Sequence, residues 1–87
     1  MIHAPERVEA IRGRATAGIQ HISTMVAQHS DPGLQGQLKQ LRYLFGDVQT
    51  FFLSSLSRES RTPEAESAWL SDAEMVLQIA ERQLKTL

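Results

Sequence analysis

Apolar residues recur at intervals of three and four through almost the whole chain, and two proline-centred breaks cut that pattern into three. The first stripe is Val8, Ile11, Ala15, Ile19, Ile22 and Val26. The second is Leu34, Leu38, Leu41, Phe45, Val48, Phe52 and Leu56, and the third Trp69, Ala73, Val76, Ala80, Leu84 and Leu87. That spacing marks one side of a helix, because 3.6 residues complete a turn. No alternating pattern lasts long enough to suggest a strand, so the chain reads as all-α.

The breaks carry their own chemistry. "HSDPG" at 29–33 joins Asp, Pro and Gly, a strong turn signal. In "SRTPEAE" at 60–66, Thr62 suits an N-cap, Pro63 the first helical position, and Glu64 and Glu66 the positive end of the helix dipole. Ala4-Pro5-Glu6 is a weaker version of that signal. Helices are therefore expected near 5–29, 34–58 and 63–86 of a single 1–87 domain. Short connections make neighbours antiparallel, giving an antiparallel three-helix bundle or a long helical hairpin plus third helix, self-associating in either case.

One stretch strains this scheme. "LFGDVQTFFLSSL" at 44–56 places Phe51, Phe52 and Leu53 side by side. At about 100° per residue, Phe52 centres on the stripe and Phe51 falls on its flank with Leu44. Leu53 projects outside the stripe, and Tyr43 points nearly opposite to it. Charge is also unevenly placed. Residues 15–30 contain no Asp, Glu, Lys or Arg, and residues 43–57 contain only Asp47. Charge depletion of this kind characterises the centre of protein interfaces.

The third helix carries two apolar ridges. Leu70, Ala73, Leu77, Ala80, Leu84 and Leu87 follow the three–four spacing of a coiled-coil seam, and Trp69, Val76 and Ile79 lie beside it. Two ridges suit either one wide core face or two surfaces, one for the chain's own core and one for a second subunit. Tyr43, Phe51, Leu53, Leu70, Leu77 and Leu84 are accordingly the candidate partner-binding residues. Trp69 is expected to be a buried anchor against Phe51 or Phe52. Asp72, at the edge of the apolar arc, is expected to need a hydrogen-bond donor.

Catalytic chemistry finds little support in the residues. Cysteine is absent, which removes thiol nucleophiles and thiolate metal sites. His21 and His29 are eight apart, roughly 12 Å along a helix, too far to share a metal by themselves. The serines at 54, 55, 57 and 60 have no histidine nearby to act as base and suit a fraying or capped helix end. Arg12, Arg14, Lys39 and Arg42 all project away from the stripes, so no inward cluster exists to bind an anionic substrate. No enzyme activity, cofactor, metal or small-molecule substrate is expected.

The formal net charge of −1 offers no general attraction to nucleic acid. Arg7, Arg12 and Arg14 could touch phosphates, but Glu6 and Glu9 lie among them. No apolar run follows a basic segment at the start, and none approaches the ~20 residues of a membrane span, so a cytoplasmic protein is expected. The reading that results is a small non-catalytic protein-binding module, acting on another protein or on itself as a homodimer. Its candidate roles are an adaptor, a secretion co-chaperone or a phage- or plasmid-type inhibitor of a host protein. The alternative is a dimeric helical DNA-associated regulator.

Overall fold

The computed structural model describes all 87 residues, and the chain is 84% helical, without strands. Helix α1 spans Pro5–Gln28, α2 Pro32–Asp47, the one-turn α3 Leu56–Glu59, and α4 Pro63–Thr86; a π-helical segment, Val48–Phe52, continues α2. All three prolines of the sequence stand at the first position of a long helix, where a missing N–H costs nothing. Asp31 caps α2 by accepting from the Leu34 N–H at 2.9 Å, and Thr62 caps α4 by accepting from the Ala65 N–H at 3.0 Å. No helix is long and apolar enough to cross a membrane.

The three long helices form an up–down–up bundle. Arg7 pairs with Glu74 and Arg14 with Glu81, the same offset of 67 residues both times, which identifies α1 and α4 as parallel. Each pair is bidentate. Arg7 Nε and Nη2 donate to Glu74 at 2.9 and 2.7 Å, and Arg14 Nε and Nη2 donate to Glu81 at 3.0 and 2.6 Å. Arg7 also reaches the hydroxyls of Ser67 and Ser71. These clamps are partly solvated, so each contributes only about 0.2–1 kcal/mol, but two in the same offset define a register. Arg14 therefore does not project away from its neighbours as its helical wheel suggests; it reaches across to α4.

The core is a narrow column of 13 buried apolar residues from α1, α2, the π segment, α3 and α4. Leu70, Ala73, Leu77 and Ala80 belong to it, and Leu84 packs against it half-buried. The regular seam of α4 is thus the chain's own core face. Leu70 and Leu77 are fully buried within a single chain, and are not a surface offered to a partner. At the centre, Phe45 of α2 lies against the backbone of Gly18 on α1. A Cβ at Gly18 would meet the Phe45 ring at 2.4–2.6 Å.

Glu66 departs from its expected role at the N-terminus of its own helix. It is buried, and its carboxylate accepts from the backbone N–H of His3 at 2.9 and 3.0 Å and of Ala4 at 2.8 Å. It thereby holds the strap that leads into α1, whose own Ala4 has no side chain to cap with. The His3 ring adds a contact to the Ser60 carbonyl oxygen at 3.2 Å. Desolvation pushes the Glu66 pKa up, but the His3 N–H, the Ser60 hydroxyl and the Ala4 N–H outweigh it and hold the group below its ordinary 4.5. The Ser60 hydroxyl acts by proximity, since it completes no well-aligned hydrogen bond. Glu74 and Glu81 are likewise depressed, chiefly by hydrogen bonds from Arg7 and Arg14 against an opposing desolvation.

Two predictions follow from this packing. Gly18→Ala should destabilise the fold by about 1–2 kcal/mol, because overpacking outweighs the ~1 kcal/mol that alanine gains in a helix. Gly13→Ala meets nothing within 4 Å and should stabilise by about 0.5–1 kcal/mol. Urea denaturation of both variants checks the contrast. The three depressed carboxylates stabilise the fold fully above the unfolded glutamate value of 4.5, and that contribution disappears as pH falls through their lower folded values. Melting temperature should therefore drop on acidification below that point. Glu66→Gln should lower it at neutral pH and make the acid decline shallower; an equally steep decline would remove Glu66 from the account.

Candidate functional site

The expected single helix over 34–58 is interrupted. At Val48 the α-helical ladder changes, and the Leu53 N–H donates to the Val48 carbonyl at 2.9 Å, an i→i+5 bond. The wider turn inserts one residue relative to an α-helix, so residues five apart stack. Leu53, expected to project away from the core, is carried back above Val48 and packs half-buried against the core. Phe51, expected on the flank of the stripe with Leu44, is left 53% exposed. Leu56 still reaches the core, now from the separate short helix α3.

Hydroxyl side chains support the wider turn. Thr50 donates to the Gly46 carbonyl at 2.9 Å, and Ser54 donates to the carbonyls of Thr50 and Phe51. These are the back-bonds by which Ser and Thr loosen a helix. The Phe52 carbonyl takes its hydrogen bond from another helix, the Trp69 indole N–H of α4 at 2.7 Å. The Trp69 ring lies 4.9 Å from Phe52 and 5.5 Å from Phe51, and the two phenyl rings meet edge-to-face at 5.3 Å. Trp69 is half-buried, an anchor whose polar edge is matched inside the chain and whose ring supports an exposed Phe51.

Between α2 and α4 runs an open depression of about 430 Å³, lined by Gln37, Gln40, Leu41, Leu44, Gln83, Thr86 and Leu87. None of these seven residues carries a side-chain charge. Tyr43 stands elsewhere, 73% exposed on the outer side of α2, bordering a second hollow with Ile19, Lys39, Arg42 and Asp47. The six candidate residues therefore do not converge. Phe51 and Tyr43 are exposed at different places, Leu53 and Leu84 are half-buried, and Leu70 and Leu77 are interior.

Four ion pairs form within the chain, those of Arg7, Arg12, Arg14 and Arg58. Arg7 and Arg14 hold α4, and Arg12 lies 3.4 Å from Glu9 on its own helix. His21 and His29 are exposed, and no three His, Asp or Glu side chains gather closely enough to hold a metal ion. Asp72, expected to find a donor at the edge of the apolar arc, is exposed with no hydrogen bond or ion pair within the chain. Its wheel position lies beyond the reach of α2, so water solvates it instead.

The link between α4 and the π segment is open to a simple check. Trp69→Phe keeps an aromatic ring but withdraws the donor from the Phe52 carbonyl, and should cost about 1 kcal/mol. An unchanged urea midpoint would show that solvent replaces the indole fully. Comparison of the chain with protein-family models, curated proteins and solved structures gives no match.

Proposed function

We propose that this chain is a small non-catalytic protein-binding module of the cytoplasm, working as an adaptor, a secretion co-chaperone or a phage- or plasmid-type inhibitor of a host protein. The observation that carries the reading is Phe51, held half-exposed on the rings of Phe52 and Trp69 on the side of the bundle where α2 meets α4. Aromatic side chains packed in the centre of a patch are enriched in protein interfaces and among the residues that alanine scans find to matter there. The depression between α2 and α4, whose lining side chains are uncharged, lies further along the same two helices, toward the C-terminal end of α4. Pairing of Arg7, Arg12 and Arg14 with glutamates leaves that end of α1 poorly suited to phosphates.

Phe51→Glu tests this reading. The change removes the ring contacts of Phe51 with Phe52 and Trp69, so stability should fall by about 1–3 kcal/mol, at ~0.5–1.5 kcal/mol for each aromatic pair. Proteins captured from a host extract by the parent chain should be lost with the variant, assayed at a temperature where circular dichroism shows both chains fully folded. Equal capture by both chains would overturn the assignment of this surface. Leu53→Lys is no test of it, because Leu53 packs against the core.

A further inference from the structure

The face of α4 turned directly away from the core carries a pattern that the bundle does not use. Ala68, Asp72, Met75, Ile79, Arg82 and Thr86 are all exposed and follow one another at intervals of four, three, four, three and four. That is a second heptad seam, on the opposite side of the helix from Leu70, Leu77 and Leu84. Met75 and Ile79 are 60% and 47% exposed, among the most exposed large apolar side chains of the chain. Neither Asp72 nor Arg82 forms an ion pair within the chain.

The order of these residues is self-complementary when read in opposite directions. With a two-fold axis midway between Met75 and Ile79, Met75 faces Ile79 of a second copy and Ile79 faces Met75. One layer further out Asp72 faces Arg82, and beyond that Ala68 faces Thr86. Each layer joins one class of seam position to the other, as antiparallel helices require. All three kinds of layer match: apolar on apolar, acid on base, small on small. A parallel pairing in register would set Asp72 on Asp72 and Arg82 on Arg82, so the two charges select the antiparallel arrangement.

We propose that a second copy of this chain docks on the outer face of α4, antiparallel and centred between Met75 and Ile79, with two Asp72–Arg82 ion pairs closing the ends of the apolar contact. The contact is isologous, so it closes at two chains and does not propagate. A strip from Ala68 to Thr86 is about 27 Å long at ~1.5 Å per residue, and one helix face of that length buries less than the ~800 Å² per partner of a standard interface. The dimer is therefore concentration-dependent. It goes beyond the binding of a foreign partner proposed above and is centred on a different face, so either can fail alone.

Charge reversal tests this directly, with sedimentation equilibrium over a roughly hundredfold range reaching millimolar chain. The parent should pass from the 9.7 kDa monomer to twice that mass. Asp72→Arg places Arg on Arg at both ends and Arg82→Asp places Asp on Asp, so each should weaken the dimer by at least about tenfold. The double variant restores both pairs in reversed order and should return to within about threefold of the parent. Mixing the two single variants should give a heterodimer that neither forms alone. Circular dichroism melting near the parent's confirms that the fold is kept. A parent that stays monomeric throughout, a single reversal without effect, or a double variant as weak as the singles would each overturn the proposal.

Discussion

Phe45 can reach the centre of the bundle only because residue 18 has no side chain. The ring occupies the space that a Cβ on α1 would take, and both residues are buried. This contact sets how closely α1 and α2 approach and how α2 is rotated, since a fully buried ring has no second place to go. With the rotation of α2 set, Leu38, Leu41 and Val48 face inward, and α4 closes the remaining side with Leu70, Ala73, Leu77 and Ala80. Alanine at 73 and 80 keeps that helix close, on the same principle of small residues opposite large ones. A column with so few large side chains leaves little reserve, as expected for a chain of this size.

Polar groups then define how the third helix slides. The apolar seam of α4 repeats every seven residues, so burial alone tolerates a shift by one repeat. The two arginine–glutamate clamps and the Glu66 carboxylate remove that freedom. Arg7, Arg14 and the strap at residues 3–4 all lie on α1 or just before it, and each has its partner at matching height on α4. A slip would leave Glu66 buried without donors, which the interior penalises much more than the loss of a surface ion pair.

The π segment links packing to surface. An unbroken α-helix would send Leu53 into solvent and leave Phe51 on the flank of the apolar stripe. The inserted residue moves both, burying an aliphatic side chain against the core and setting an aromatic one on Trp69 in view of solvent. The exposed aromatic is thus a product of the interrupted helix. Its ring is held by neighbours on two helices and presents a definite edge and face. Helix α4 takes part in three relations at once: the core on one side, the arginine clamps beside it, and an outer seam that no part of its own chain covers.

Much of this was legible in the residues. Three-four periodicity located every long helix, and Pro5 and Pro63 marked the starts of two of them, because both signals act within a few residues of one another; Pro32 read as a turn residue and proves to open α2. The buried Leu70–Leu77 seam was visible as a pattern, but its assignment to the chain's own core was not, since periodicity says that a face is apolar without saying what covers it. The serines at 54, 55, 57 and 60 hinted at a loosened helix end. The i→i+5 turn itself depended on Leu53 finding burial and the Phe52 carbonyl finding the Trp69 indole, seventeen residues away. Glu66 read as a dipole partner for its own helix, yet its donors come from the other end of the chain. The sequence by itself determined helix class, the breaks between the three long segments and the apolar stripes, all of which rest on local geometry. Only the tertiary structure decided the rotation of residues 51–53, the parallel register of α1 against α4, and which of α4's two seams stays open, because each depends on contacts between residues far apart in the chain.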